Sequence, residues 1–89
     1  MSTLSELRQE LDAVSLQIAD LLLKRRTLAE RVIAKKLELQ QDIWDPQREH
    51  ELLSLITAGC SIQEREYLTE VFHTVFVCTR GPQQGESTI

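Results

Sequence analysis

Hydrophobic positions organise the first part of the chain. Leu4, Leu7, Leu11, Val14, Ile18, Leu21, Leu28 and Val32 recur mostly at spacings of three and four. That rhythm is the signature of an amphipathic helix. No Gly or Pro interrupts it before Pro46, and Ser2, Thr3 and Ser5 all offer N-cap chemistry. The spacing predicts one helix from residue 4 to about residue 39. At about 1.5 Å per residue it would span roughly 54 Å. A compact chain of 89 residues has a radius of gyration of only about 12 Å. Such a helix must protrude, and a protruding apolar stripe needs a partner.

Gln40, Gln41 and Asp42 make a polar break. Asp45-Pro46 then predicts a second helix, with Asp as N-cap and Pro in the first helical position. Leu52, Leu53, Leu55 and Ile56 give it an apolar face, and Gly59 ends it. Ser61-Ile62-Gln63-Glu64 fits a capping box. A third helix follows, with Tyr67, Leu68, Val71, Phe72, Val75 and Phe76 at helical spacing, and Gly81-Pro82 stops it near Arg80. The expected fold is all-α, with three helices, long, short and medium. Residues 1–80 form one domain and 81–89 a polar tail.

Composition narrows the classes. Hydrophobic residues make up 42% of the chain and aromatics only 4%, which excludes a disordered tract and favours helices. No run approaches the ~18–20 apolar residues of a membrane span. Two cysteines cannot build a disulfide scaffold. The net charge of −4 argues against nucleic acid as a partner, because that affinity rests on neutralising phosphates. The polar N-terminus carries no signal peptide, which points to a cytoplasmic protein with reduced cysteines.

The informative feature is where the long helix stops being apolar. Leu4, Leu11, Ile18, Arg25, Val32 and Leu39 follow one another at intervals of seven. A guanidinium on that seam is costly unless it is paired or meets an anion. Lys36 lies eleven residues beyond Arg25. Eleven steps of about 100° return to within about 20° of the same face, about 16 Å further along. Lys36 leans back toward Arg25, as helical side chains do. Two cations on an inward face imply a small, multiply charged anion. A device that fixes helix register is the competing explanation for Arg25. Lys24, Arg26, Arg31 and Lys35 read as a solvated face.

Arg8 sits beside the apolar stripe, about 26 Å along the axis from Arg25. Within one chain it cannot reach a ligand held by Arg25. In an antiparallel pair of long helices it could approach the second chain's Arg25. The plainer alternative is an exposed ion pair with Asp12.

A second cluster is Asp45, Arg48 and Glu49. An N-cap with first-turn acids explains Asp45 and Glu49. It explains Arg48 poorly, because a cation there opposes the helix dipole. Thr79 and Gln83, four apart near the end of the third helix, are unremarkable as a pattern. His50, His73, Cys60 and Cys78 are isolated, and no metal-ligand spacing or Gly-rich phosphate loop is present. A conventional hydrolase, kinase or oxidoreductase is disfavoured.

Taken together, these residues resemble the all-helical class of chorismate mutases over about residues 4–80. The carriers are L-x-x-L-R with Arg8, K-R-R-x-L-A with Arg25, K-K-L with Lys36, and D-P-x-R-E from Asp45 to Glu49. The resemblance implies an intertwined homodimer with the long helices antiparallel. It implies conversion of chorismate to prephenate in aromatic amino acid biosynthesis, without cofactor or metal. Arg25 and the second chain's Arg8 would bind the two substrate carboxylates. Lys36 would bond a carboxylate and the ether oxygen. Asp45 would meet the ring hydroxyl through its backbone and Glu49 through its side chain, with Arg48 in electrostatic support. Thr79, where many relatives carry Ser, and Gln83 would complete the site, with Lys36, Arg25 and Gln83 as the catalytic set. Gly81-Pro82 interrupts the helix between Thr79 and Gln83, which opens that last role to Gln84. The alternatives are an isochorismate-pyruvate lyase of the same fold and an inactive helical dimer with a regulatory or binding role.

Overall fold

A computed structural model describes residues 1–81. Three helices account for most of them: α1 (Leu4–Glu38), α2 (Pro46–Thr57) and α3 (Ile62–Arg80). The described residues contain no strand.

Each helix starts on the chemistry expected of it. Thr3, the middle of three candidate caps, closes a capping box with Glu6 at the head of α1. The Asp45 carboxylate accepts from the Arg48 backbone N–H at 3.0 Å, and Pro46 opens α2. Ser61 and Glu64 form the second capping box, at the head of α3. Two of the helices are followed by glycines in left-handed geometry, Gly59 at φ 76° and Gly81 at φ 80°.

The end of α1 is different. Gln40 adopts φ 56°, a left-handed conformation that L side chains take at a cost. Its N–H donates to the Leu37 carbonyl, and the Gln41 N–H donates to the Lys36 carbonyl at 2.8 Å. This pair of bonds is the Schellman arrangement, usually built on Gly. It turns the chain sharply just beyond Lys36.

Packing is unequal along the molecule. α3 packs against both α2 and α1, while α1 and α2 do not pack on each other. Phe76, at 5% exposure, is the buried hydrophobic residue at the junction, and Phe72 meets it ring to ring at 6.1 Å. Thr57 is also buried, its hydroxyl bonded to the Leu53 carbonyl. On α1 the partly covered residues are Arg25, Ala29, Ile33 and Lys36, all on one face. From Leu4 to Lys24 every residue is exposed, including Leu11 at 64% and Ile18 at 52%. The molecule is 56 Å long with a radius of gyration of 16.7 Å, well above the compact value of about 12 Å. No helix among the described residues is long and apolar enough to cross a membrane.

Two measurements check the caps. Gln40→Gly should raise the melting temperature, with a gain in stability of no more than about 1–2 kcal/mol, because it relieves left-handed strain. A lower melting temperature would contradict the assigned turn. The Glu64 carboxyl is held below its ordinary value of 4.5 by the Ser61 backbone N–H and then by the Ser61 hydroxyl. A depressed folded value stabilises the fold above the unfolded value and is lost as pH falls through the folded one. The gap in melting temperature between wild type and Glu64→Gln should therefore narrow below about pH 4.5, the unperturbed value. A gap constant from pH 7 to acid would contradict the cap.

Candidate active site

Because α3 holds α1 and α2 apart, a cavity of about 270 Å³ opens between them. That is just below the ~300–1,000 Å³ range of ligand sites. Leu28, Val32, Ile33, Ile43 and Leu52 supply apolar wall. Arg25 and Lys36 line it from α1, as their shared face predicts. Asp45, Arg48 and Glu49 line it from the start of α2, and Thr79 and Arg80 from the end of α3.

Most of the charged groups have a defined setting. Arg25 lies over the Phe76 ring at 5.4 Å and donates to the Thr79 hydroxyl at 3.1 Å. Thr79 in turn donates to the Val75 carbonyl at 2.6 Å, which fixes its hydroxyl toward Arg25. Lys36 Nζ donates to the Ile43 carbonyl at 3.1 Å. The Schellman turn after α1 delivers that carbonyl. An ammonium has three donors, so two remain for a ligand. Arg25 likewise keeps most of its five N–H groups. The Asp45 carboxylate is engaged as the α2 cap, and the Asp45 carbonyl accepts the first helical bond from Glu49.

Ion pairing divides the cations into two groups. Lys24, Arg26 and Lys35 pair with Asp20, Glu30 and Glu38 on the exposed side of α1, as a solvated face should. Glu49 pairs with Arg80, with Arg80 Nε 2.6 Å from the Glu49 carboxylate. Among the described residues, no ion pair reaches Arg25, Lys36 or Arg48. Among the described residues the lining holds four cationic and two acidic side chains, an excess of two positive charges, on a chain whose net charge is −4. Such an arrangement is complementary in charge to a small anion.

Six of the eight residues expected from the sequence thus border one cavity: Arg25, Lys36, Asp45, Arg48, Glu49 and Thr79. Arg8 does not; it is exposed on the bare half of α1, and among the described residues no ion pair joins it to Asp12. Gln83, and Gln84 with it, lies outside the described residues. Sequence reasoning missed Arg80, read there only as a helix end. Its position four residues after Phe76, on the same face of α3, was the available signal. The Phe76 ring beneath Arg25 and the Ile43 carbonyl at Lys36 were also missed.

A broader groove of about 800 Å³ runs along α2 and α3 and includes His50, Arg65 and His73. Among the described residues, no three His, Cys, Asp or Glu side chains gather so as to hold a metal ion.

No curated protein and no solved structure gives a match to this chain. The model of one family, chorismate mutase type II, matches residues 7–84. That span runs from just before Arg8 through the whole cavity lining, and the protein belongs to the type II chorismate mutase family.

Proposed function

We propose that the protein catalyses the rearrangement of chorismate to prephenate, as a homodimer whose sites each take Arg8 from the other chain. The observation that carries this is a set of three cations, Arg25, Lys36 and Arg48, around one small cavity, none of them in an ion pair among the described residues. The positive excess of that lining is complementary to a dicarboxylate. The exposed stripe on α1 supports the dimer, since Leu4, Leu7, Leu11, Val14 and Ile18 are all exposed and no other described element packs over them.

The reaction is unimolecular. One C–O bond breaks and one C–C bond forms within the substrate, and no proton changes place. The task is to hold a flexible molecule in its compact reactive shape, which is an orientation problem. Arg25, braced by Thr79 and Phe76, presents its fork to one carboxylate. Arg8 of the second chain takes the other. The apolar wall presses the vinyl ether over the ring and keeps water out.

Charge develops on the ether oxygen as the C–O bond stretches. Lys36 meets it from a position already set by the Ile43 carbonyl, so little reorganisation accompanies the reaction. Gln83 is the second donor to that oxygen. Glu49 accepts from the ring hydroxyl, the Asp45 backbone serves the same group, and Arg48 adds positive potential at the carboxylates. These groups need neither metal nor cofactor to act on this substrate.

Direct assay tests the reading. Wild type should consume chorismate and form prephenate. Lys36→Ala should lower kcat by about 10²–10³-fold, or roughly 2.7–4 kcal/mol, on the scale of losing a preorganised oxyanion donor. Equal rates for the two proteins would contradict the role of Lys36. Pyruvate release from isochorismate, with chorismate untouched, would reassign the site to the lyase.

A further inference from the structure

Arg80 is the last residue of α3, yet its side chain is only 10% exposed. Its Nε lies 2.6 Å from Glu49 Oε2, and its Nη2 lies 3.5 Å from Oε1. Its Nη1 donates to the Gly81 carbonyl at 2.9 Å. Its guanidinium sits 5.4 Å from the centre of the Trp44 ring. Trp44 belongs to the α1–α2 connection and Glu49 to α2. Three segments of the chain therefore meet on one planar cation. Only a rigid fork with an aromatic face beneath it satisfies this geometry.

Glu49 occupies a ridge. It borders the cavity on one side and the α2–α3 groove on the other. The groove side carries His50, Arg65 and His73, any of which could attract a carboxylate. The Glu49 backbone, in the first turn of α2, does not select a side. Arg80 borders the cavity and not the groove. Its grip on both carboxylate oxygens makes the selection.

We propose that Arg80 is a positioning residue, which holds the Glu49 carboxylate on the cavity side so that it can accept from a hydroxyl on the bound substrate. This rests on the function proposed above, in which Glu49 meets the ring hydroxyl. The short bond fixes Oε2, and the longer one leaves Oε1 with acceptor capacity to spare. Arg80 is neutralised by the same bonds. It therefore acts through Glu49 and is not another arm for the substrate carboxylates.

Kinetics on two substrates separate this role from a structural one. The probes are chorismate and an analogue that keeps both carboxylates and the vinyl ether but lacks the ring hydroxyl. Arg80→Ala and Arg80→Met should each lower kcat/KM for chorismate on the order of tenfold, the scale of one charge-assisted hydrogen bond. For the analogue both should stay within about twofold of wild type, because the group that Glu49 recognises is absent. Glu49→Gln should match the chorismate loss, and the double variant should be little worse than either single one. Arg80→Lys, which keeps the charge without the fork, should fall between wild type and Arg80→Ala. All rates are taken where far-UV circular dichroism shows each variant folded, and Arg80→Lys and Arg80→Met serve if Arg80→Ala does not fold. Equal losses on both substrates, or losses that multiply in the double variant, would overturn the proposal while leaving the reaction assignment intact. A wild type without chorismate turnover would overturn both.

Discussion

The length of α1 governs the rest of the molecule. A helix of 35 residues carries more apolar surface than two helices of 12 and 19 residues can cover. Among the described residues α3 is the only element that packs on both of the others, and the cover on α1 is confined to its C-terminal part. Cover therefore begins at Arg25 and ends at Lys36. The cavity sits in that stretch because α3 joins α1 and α2 without letting them touch. The N-terminal half stays bare, and burying one large aliphatic side chain is worth about 1.5–3 kcal/mol. Several such side chains in a row are a strong drive toward association. The same bare half carries Arg8. Covering the stripe with a second copy would bring a cation toward a cavity that its own chain cannot reach.

Electrostatics within the chain are sorted in the same way. Lys24, Arg26 and Lys35 on the outer face of α1 are matched with acids three or four residues away, in exposed pairs worth little to stability. The acids near the cavity are engaged locally, Asp45 as a helix cap and Glu49 by Arg80. Among the described residues that leaves Arg25, Lys36 and Arg48 without an ion pair where the wall is apolar. The partners of Arg25 and Lys36 are neutral dipoles and an aromatic face, which orient a cation without cancelling it. A low-dielectric wall strengthens the field they present to a dianion.

Much of this was legible in the sequence, for physical reasons. Helical periodicity put Arg25 and Lys36 on one face, and both line the cavity. Cap chemistry located the starts of α2 and α3, since Asp45-Pro46 and Ser61 through Glu64 satisfy backbone N–H groups by local rules. The distance from Arg8 to Arg25 followed from helical rise alone. Contacts between elements were not legible. Arg80 looked like a helix end because its partners, Glu49 and Trp44, are distant in sequence. The turn at Gln40 escaped notice because nothing in a Gln announces left-handed geometry, yet that turn brings the Ile43 carbonyl to Lys36. Gln83 lies beyond the described residues, so its part in the site rests on the family resemblance.

The central claim is that one active site is assembled from two chains, and mixing two inactive variants tests it most directly. Arg8→Ala removes the cation given to the partner, and Lys36→Ala removes the cation kept at home. Each homodimer should be nearly inactive. When the two are unfolded together and refolded in equal amounts, each mixed dimer has one site with both residues intact. Chorismate mutase activity should then return to about a quarter of the wild-type level, by random pairing of a two-fold dimer. A mixture no more active than its two components would contradict the shared site.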